Sequence, residues 1–479
     1  MDRSQVARIR SMVLGTALIL AACAGPLAAP ARAADDVPVY DIARCIDIAL
    51  DGSRSLAIAG ENTTVAGQSV KQAYGGFFPN LSLSRTYQKS ERTDFDSEIY
   101  GYAPYTIPTD NGDDSITMMQ QIATGEFQDV ETKSTYQDYG VNSQWNLFGG
   151  FGKFANLSAA KSDLASARLD EAYQREVVVE NVVVAYVQLG RDEALLEVAV
   201  AAEDLAGREL EKSQTYYRIG SAAKSDVLQA KVRLEQTRLD VIRARNTVEQ
   251  SFAELAHAMN HPLIERFDVD RSLMSVDFEV APLEVLYETA LAKRSDLLSL
   301  VEQADARGSD VTSAASDLWP SLDVFVRYTR YKNESPYRFG AQESDNLSYG
   351  YQVNWNIFDR FQTLGNRSSA KARERIADYN LDQKRLDVQL EVRQLYNSLL
   401  EARERHALAL ETIANAQEEL RLAQERFKVG AGTMLEQITA QVNLSQAKSD
   451  EISASSDFRI ASMHMDRAIG VSIEDRSGP

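Results

Sequence analysis

The sequence predicts a mixed α and β membrane protein of two internal repeats, each joining a hairpin of a transmembrane β-barrel to helical rods that pack like coiled coils. Three observations carry this. Trp145-Asn146-Leu147-Phe148 returns as Trp355-Asn356-Ile357-Phe358, and Tyr217-Arg218-Ile219-Gly220 as Phe427-Lys428-Val429-Gly430, both displaced by 210 residues (355 − 145 and 427 − 217). Two unrelated motifs that keep one offset mark a duplication. Between them, Phe151 to Arg218 holds no Pro, few Gly and mostly strong helix formers, so its 68 residues (218 − 150) make one helix of roughly 100 Å. Asp163, Asp170, Glu171 and Arg175 exclude a membrane span, so the rod must pack beside similar rods. Third, the segments around each Trp alternate between apolar and polar residues.

In chain order, the first segment is a targeting signal. Arg3, Arg8 and Arg10 precede an apolar run from Met12 to about Ala22, too short to remain as an anchor. Ala31-Arg32-Ala33 fits signal-peptidase cleavage, making 1–33 a signal peptide; Leu20-Ala21-Ala22-Cys23 resembles a lipobox, which would end the signal at 22 and acylate Cys23. The first exit is favoured, and either takes the protein out of the cytoplasm. Cys45 then has no partner for a disulfide. The net charge of −19 argues against nucleic-acid binding. No later apolar run reaches the length of a membrane helix, so any passage through a membrane is made by strands.

The first repeat is expected over 34–261. Asp41 to about Tyr74 reads as a helix whose twin is Pro282 to Ser316; each precedes an aromatic-Pro pair, Phe78-Pro79 and Trp319-Pro320, displaced by 241 (320 − 79). The first copy thus carries 31 extra residues (241 − 210), placed in a hairpin over 80–148 whose counterpart is 321–358. Tyr139, Val141, Trp145 and Leu147 alternate with Gly140, Asn142, Gln144 and Asn146, and Leu347, Tyr349, Tyr351 and Val353 with Ser348, Gly350, Gln352 and Asn354. That is the pattern of barrel strands with lipid on one face and water on the other. Their partners are Leu81 to about Gln88 and Leu322 to Arg330, and the Asp-, Gly- and Ser-rich tips read as loops. Four strands cannot close a barrel, and lipid does not tolerate an open edge. Several chains must share one barrel, with their rods as a collar beneath it.

The rods are expected over 151–218 and 360–427, with return helices over 223–260 and 434–470. Val227, Leu234, Val241, Val248 and Leu255 recur every seventh residue, as do Ala440, Ala447, Ala454, Ala461 and Ala468, and Ala402, Ala409, Ala416 and Ala423. This is a heptad pattern with small seams that admit close helix approach. Residues 262–281, with Phe267, Val269, Leu273 and Phe278 among acids, are expected as an equatorial linker outside the rods, and 282–479 as the second repeat.

There is no enzyme constellation, cofactor motif or metal site. His257 and His261 have zinc spacing, but His261 precedes Pro262 at a helix end without a third ligand; Met463-His464-Met465 lies in the Ala-seamed helix, where Met is core. The candidate site is the pair of turns. Gly220 and Gly430 suit left-handed helix caps, and Ser225 or Asp226 can cap the returning helix. Asp226 and Glu436 are 210 apart (436 − 226), so around an oligomer they would form a negative ring at the end of a tube; a helix N-terminus alone would also favour them.

The duplicated Trp-Asn-Leu-Phe and Trp-Asn-Ile-Phe strand ends, the two Gly turns, and Asp226-Val227-Leu228-Gln229-Ala230 after the first give the mature chain a resemblance to TolC-like outer-membrane efflux proteins. The resemblance implies a homotrimer with a twelve-stranded barrel in the outer membrane and a long periplasmic α-helical barrel closed at its tip. It implies a periplasmic adaptor and an inner-membrane pump of the RND, ABC or MFS type as partners, in efflux or type I secretion. Arg218, Ile219, Gly220, Lys428, Val429 and Gly430 match the family's adaptor-contacting turns, and Glu436 the first acid of its tip constriction. Thr439 stands where the second acid is expected, and Gly432 and Phe427 replace an Arg and a Tyr that lock the closed state, so the same gating bonds are not implied. The competing reading is a periplasmic coiled-coil scaffold or adaptor whose sheet is soluble.

Overall fold

The computed structural model describes residues 38–108, 115–263, 266–270, 281–334 and 342–471. The targeting segment with Cys23, and Leu273 and Phe278 of the linker, lie outside them. The elements run β1 (Val39–Tyr40), α1 (Ile42–Gly52), α2 (Arg54–Gly75), β2 (Asn80–Pro108), β3 (Ser115–Gly149), α3 (Gly152–Arg218), α4 (Lys224–Ala258), β4 (Asp268–Val269), α5 (Leu283–Lys293), α6 (Ser295–Ala314), β5 (Ser321–Glu334), β6 (Gln342–Asn354), α7 (Gln362–Lys428) and α8 (Met434–Ala468).

α3 and α7 are each 67 residues long, about 100 Å at 1.5 Å per residue. α6 and α8 both pack against α3 and α7, so they fill successive stretches between the two rods, while α2 and α4 lie in turn against α3. Most of the seven-spaced residues disappear into these seams: Leu234, Val241 and Leu255, then Ala402, Ala409 and Ala416, then Ala440, Ala447, Ala454 and Ala468 are buried, while Val227, Val248, Ala423 and Ala461 are half-buried. Each enclosed Leu or Val contributes about 1.5–3 kcal/mol; the Ala positions let the backbones close in. Halfway along, the rods thicken into two cores related by the duplication. Val178, Val182 and Leu189 are buried in one, and Val388, Val392 and Leu399, 210 residues on, in the other.

The single helix expected from Asp41 to Tyr74 is two. Ser53, at φ/ψ of −68°/116°, closes α1 and caps α2, its hydroxyl accepting the Leu56 N–H at 3.2 Å. Gly52 before it weakens the helix, and Ser favours the cap over the interior. The twin breaks 241 residues later at Arg294 (−62°/121°), a buried residue drawn into an ion network. Its guanidinium donates to Asp296 at 2.9 Å and Glu391 at 2.6 Å, and Lys384 reaches Asp296 at 2.7 Å. Arg467 on α8 completes the network, 2.7 Å from Glu180 and 3.3 Å from Glu391. Cys45 is buried without a disulfide partner, and burial pushes its thiol up to about 12. The linker does contact the rods: β4 pairs parallel with β1, and Phe267 and Val269 are buried in the first core.

The sheet is an antiparallel meander in the order β2-β3-β5-β6. Cross-strand partners share a face, and the register gathers most of the apolar residues on one of them, with Arg85, Ser143 and Arg330 among them. Leu83, Val141, Tyr328 and Leu347 lie on one row, as do Trp145, Val324 and Tyr351, while Ser84, Gly140, Thr329 and Asn346 lie on the other face. The apolar face is exposed, with Leu83 81 % and Tyr351 75 % accessible, so nothing among the described residues covers it. The strands of the first hairpin run further than expected, β2 and β3 having 29 and 35 residues against 14 and 13 for β5 and β6, and of the loop expected at its tip 109–114 lies outside the described residues. Thr, Tyr and Ile spread through the insertion outweigh its few turn residues. In the second copy the strand stops earlier than expected, at Asn354, leaving Trp355 to Phe358 beyond it. The two Trp nonetheless keep equivalent anchors, the Trp145 indole donating to Phe77 O at 2.8 Å and Trp355 to Leu318 O at 3.2 Å. Each strand then turns sharply into its rod through two left-handed residues, Gly150-Phe151 and Arg360-Phe361. At Gly150 a Cβ would meet Ser316 O at 2.1 Å, so only Gly fits.

Candidate functional site

At the end of the rods away from the sheet, both helical hairpins reverse in the same way. Gly220 takes φ 78° and Gly430 φ 75°. The Ser221 N–H donates to Tyr216 O at 2.9 Å and Gly220 N–H to Tyr217 O at 3.0 Å; Ala431 and Gly430 repeat this on Arg426 and Phe427 at 2.9 and 3.1 Å. These bonds satisfy the last carbonyls of each rod and require a left-handed residue after it. The turns stand side by side, the Tyr216 and Phe427 rings 6.2 Å apart and the Lys212 ammonium 4.9 Å from the Phe427 centroid.

The sequence-derived candidates are presented outward. Ile219 and Val429 are 71 % and 76 % exposed, apolar side chains held at the apex with no cover. Arg218 donates to Thr215 Oγ1 at 3.1 Å and Lys428 lies 3.3 Å from Glu425, each cation steadied by its own helix. Asp226 is not the cap residue of α4: Ala223 holds that position, and Asp226 sits three residues in, its carboxylate accepting the Ala223 N–H at 3.1 Å. In α8 Thr433 is the cap, its hydroxyl accepting the Glu436 N–H at 3.2 Å. Asp226 and Glu436 therefore hold matching positions and do not contact each other within one chain.

Two features were not anticipated. Arg426 donates to Ala431 O at 3.2 Å and comes within 3.9 Å of the Glu436 carboxylate, so a cation does approach the tip acid, from the preceding rod. Its signal in the sequence is only a basic residue in the last helical turn. Gly432 is confined, because a Cβ there would lie 3.1 Å from both Arg426 Cβ and Phe427 N. The second feature lies just inside the tip, where Gln437 on α8 donates to Glu209 on α3 at 2.7 Å, both buried. Ser213 and Gln441 are buried beside them on the same two helices.

The tip thus presents two exposed apolar apices, Ile219 and Val429, beside Arg218 and Lys428. Among the described residues no three His, Cys, Asp or Glu form a metal-holding group, and His464 instead meets Glu180 at 2.6 Å. No described helix is long and apolar enough to cross a membrane.

A sheet with one bare apolar face above a shaft of paired long helices defines an outer-membrane channel. The model of the family described as outer membrane efflux protein matches residues 45–261 and 286–471, one stretch in each repeat, and the chain belongs to that family. It is 22 % identical over 334 residues to outer membrane protein TolC of Vibrio cholerae serotype O1, covering 69 % of this chain and 76 % of that one. It is 23 % identical over 350 residues to the alkaline protease secretion protein AprF of Pseudomonas aeruginosa, covering 71 % of each. The crystal structure of outer membrane protein VceC from Vibrio cholerae superposes with a TM-score of 0.70 at 18 % identity, covering 90 % of this chain and 96 % of that one. The protein is an outer-membrane exit channel for efflux or secretion, extending into the periplasm, and not an enzyme.

Proposed function

We propose that three copies of this chain form one channel-tunnel, a passive duct that carries cargo from a periplasmic adaptor and an inner-membrane pump of the RND, ABC or MFS type to the exterior. The observation that carries the reading is the four-stranded sheet, whose outer strands β2 and β6 are each paired on one side only. In lipid such edges are prohibitively costly, whereas three copies supply twelve strands (3 × 4) that close into a barrel wide enough for a lumen. The shaft supports the same reading: Tyr379, Leu386 and Leu390 on α7, and Val232, Leu239 and Ile242 on α4, are exposed on rods that a neighbouring chain would cover.

In this arrangement the apolar face meets outer-membrane lipid and the polar face lines the lumen. Energy comes from the pump, and Arg218-Ile219-Gly220 and Lys428-Val429-Gly430 are where an adaptor grips the tip. Asp226 and Glu436, repeated threefold, ring the constriction. Membrane fractionation tests the reading against a periplasmic scaffold. The protein should stay with outer membranes through high-salt and urea washes; release into the wash would mean that the sheet is soluble and the reading wrong.

A further inference from the structure

Charge is spread over the two faces of the sheet against the usual rule for a barrel. Arg85 on β2 and Arg330 on β5 stand in one row with Tyr139 between them, directly beyond the row of Leu83, Val141, Tyr328 and Leu347 and on the same face. The next rows away from the rods bring Lys332 and Lys89 onto that face. The opposite face, which lines the lumen in the proposed channel, carries Asp138 as its one charge from Ser84 to Ser90 and across the paired strands. A barrel ordinarily keeps charge inside and bares apolar side chains to lipid. Here the ionic face is the outer one.

The arginine row falls at the far edge of the apolar band. Val353 to Leu347 is six residues (353 − 347), about 20 Å along a strand and roughly 15 Å in height at a tilt of about 40°. The arginines stand two residues further out, and Ile357 and Phe358, both exposed, extend the band toward the rods. That matches the height of a lipid-facing band, about 25 Å. A lipid-facing Arg is costly at the midplane and nearly free at the interface, and its long stem carries the guanidinium out among the headgroups.

Arg85 is exposed, its guanidinium 5.2 Å from the Tyr139 ring centroid, and it meets no carboxylate among the described residues. Arg330 lies 3.6 Å from Asp345 and 3.7 Å from Glu343, and Glu343 is shared with Lys332 at 3.9 Å. Both acids stand on β6, so the free cation lies on the β2 side of Arg330. A guanidinium fork matches phosphate. Just beyond the row, Gln137 and Thr135 on β3 offer uncharged hydrogen-bonding groups between the strands of the two arginines. We propose that, in the membrane-embedded channel on which this inference rests, Arg85 and Arg330 bind the phosphorylated headgroup of a glycolipid in the outer leaflet. The guanidinium groups take the phosphate, Gln137 and Thr135 meet the sugar that bears it, and the acyl chains run down over Leu83 and Val141.

The test uses the full chain, purified as the assembled channel in detergent and freed of lipid. Native mass spectrometry should show lipid A retained by the parent, with dephosphorylated lipid A and phosphatidylglycerol each retained about tenfold less. Arg85→Gln/Arg330→Gln should lower lipid A retention to a similar degree. Arg85→Lys/Arg330→Lys should fall between, since lysine keeps the charge and loses the fork. Arg327→Gln, on the opposite face of β5, should bind as the parent does. Retention that ignores the loss of the phosphates overturns the site on the parent chain alone. Equal binding of phosphatidylglycerol overturns the glycolipid assignment, and equal binding by the Gln variant overturns the arginines. An Arg85→Gln chain that no longer assembles would show Arg85 pairing with the next copy instead, and also overturns the proposal. All these outcomes leave the channel reading standing; a protein washed off membranes by salt and urea removes both.

Discussion

Gln437 and Glu209, 228 residues apart, share a 2.7 Å hydrogen bond with both side chains buried. Glu209 Oε2 and Gln437 Oε1 find no further partner among the described residues. The bond is the last side-chain link between α3 and α8 before the tip, and it is only partly satisfied. Within the helical hairpins the seams are lined by Ala and Leu; here the seam between the two hairpins is polar. Gln437→Leu leaves the Glu209 carboxyl buried with no donor, which costs about 1–3 kcal/mol. The variant should unfold at lower urea concentration, and the double variant Glu209→Leu/Gln437→Leu should recover part of the loss. Equal stability of Gln437→Leu and the parent chain would mean that the contact contributes nothing.

The mid-shaft ion network makes stability depend on acid pH. Burial works against the Asp296 carboxylate, but hydrogen bonds from Arg294 and Lys384 outweigh it and hold its pKa at about 2, below the usual ~3.9. A depressed carboxylate stabilises the fold above its unfolded pKa and loses that contribution as pH falls through the folded one. Burial raises the neighbouring Glu176, against its hydrogen bond from Ser295, so its effect has the opposite sign and cannot account for a loss in acid. Asp296→Asn should cost on the order of 2 kcal/mol at neutral pH and flatten the fall in stability between about pH 4 and 2. Parallel acid-unfolding curves for parent and variant would refute the assignment.

Much of this fold was legible because it repeats. Ala440, Ala447 and Ala454 announce the seam that buries them, and the alternation around Tyr349 and Tyr351 announces the bare face of the sheet. The break at Ser53 was missed because the apolar pattern of α1 runs on into α2, while the cause is one backbone angle. The length of β2 and β3 was missed because Asp, Gly and Ser around 109–114 signalled a loop, although the Thr, Tyr and Ile on either side prefer strand. At the tip, the Gly turns and Asp226 and Glu436 were readable from their shared offset. Glu209–Gln437 and Arg426–Glu436 were not, since no local pattern records which side chains meet when two rods dock.

Adaptor engagement should fail when the turns change and the shaft does not. A Cβ added at Gly220 meets no neighbouring atom, but Gly220→Trp forces a bulky residue into φ 78° at a cost of roughly 1–2 kcal/mol. Arg218→Glu reverses an exposed charge. Both variants should reach the outer membrane at normal levels yet export less than about a tenth as much cargo, with cross-linking to the adaptor lost in parallel. Normal export by both would remove the turns from the contact.

The acids at the tip should govern ion preference. A carboxylate ring at a constriction attracts cations and repels anions, so Glu436→Gln and Asp226→Asn should each lower the cation preference of single channels in a planar bilayer without weakening adaptor binding. Unchanged selectivity in both would restrict these residues to supporting the first turns of α4 and α8.

The channel reading depends on three chains closing one barrel, and native mass spectrometry of the detergent-extracted protein measures that directly. The expected species is an intact assembly of three chains that loses its β-structure when it dissociates. A folded, stable monomer as the only species would contradict the shared barrel.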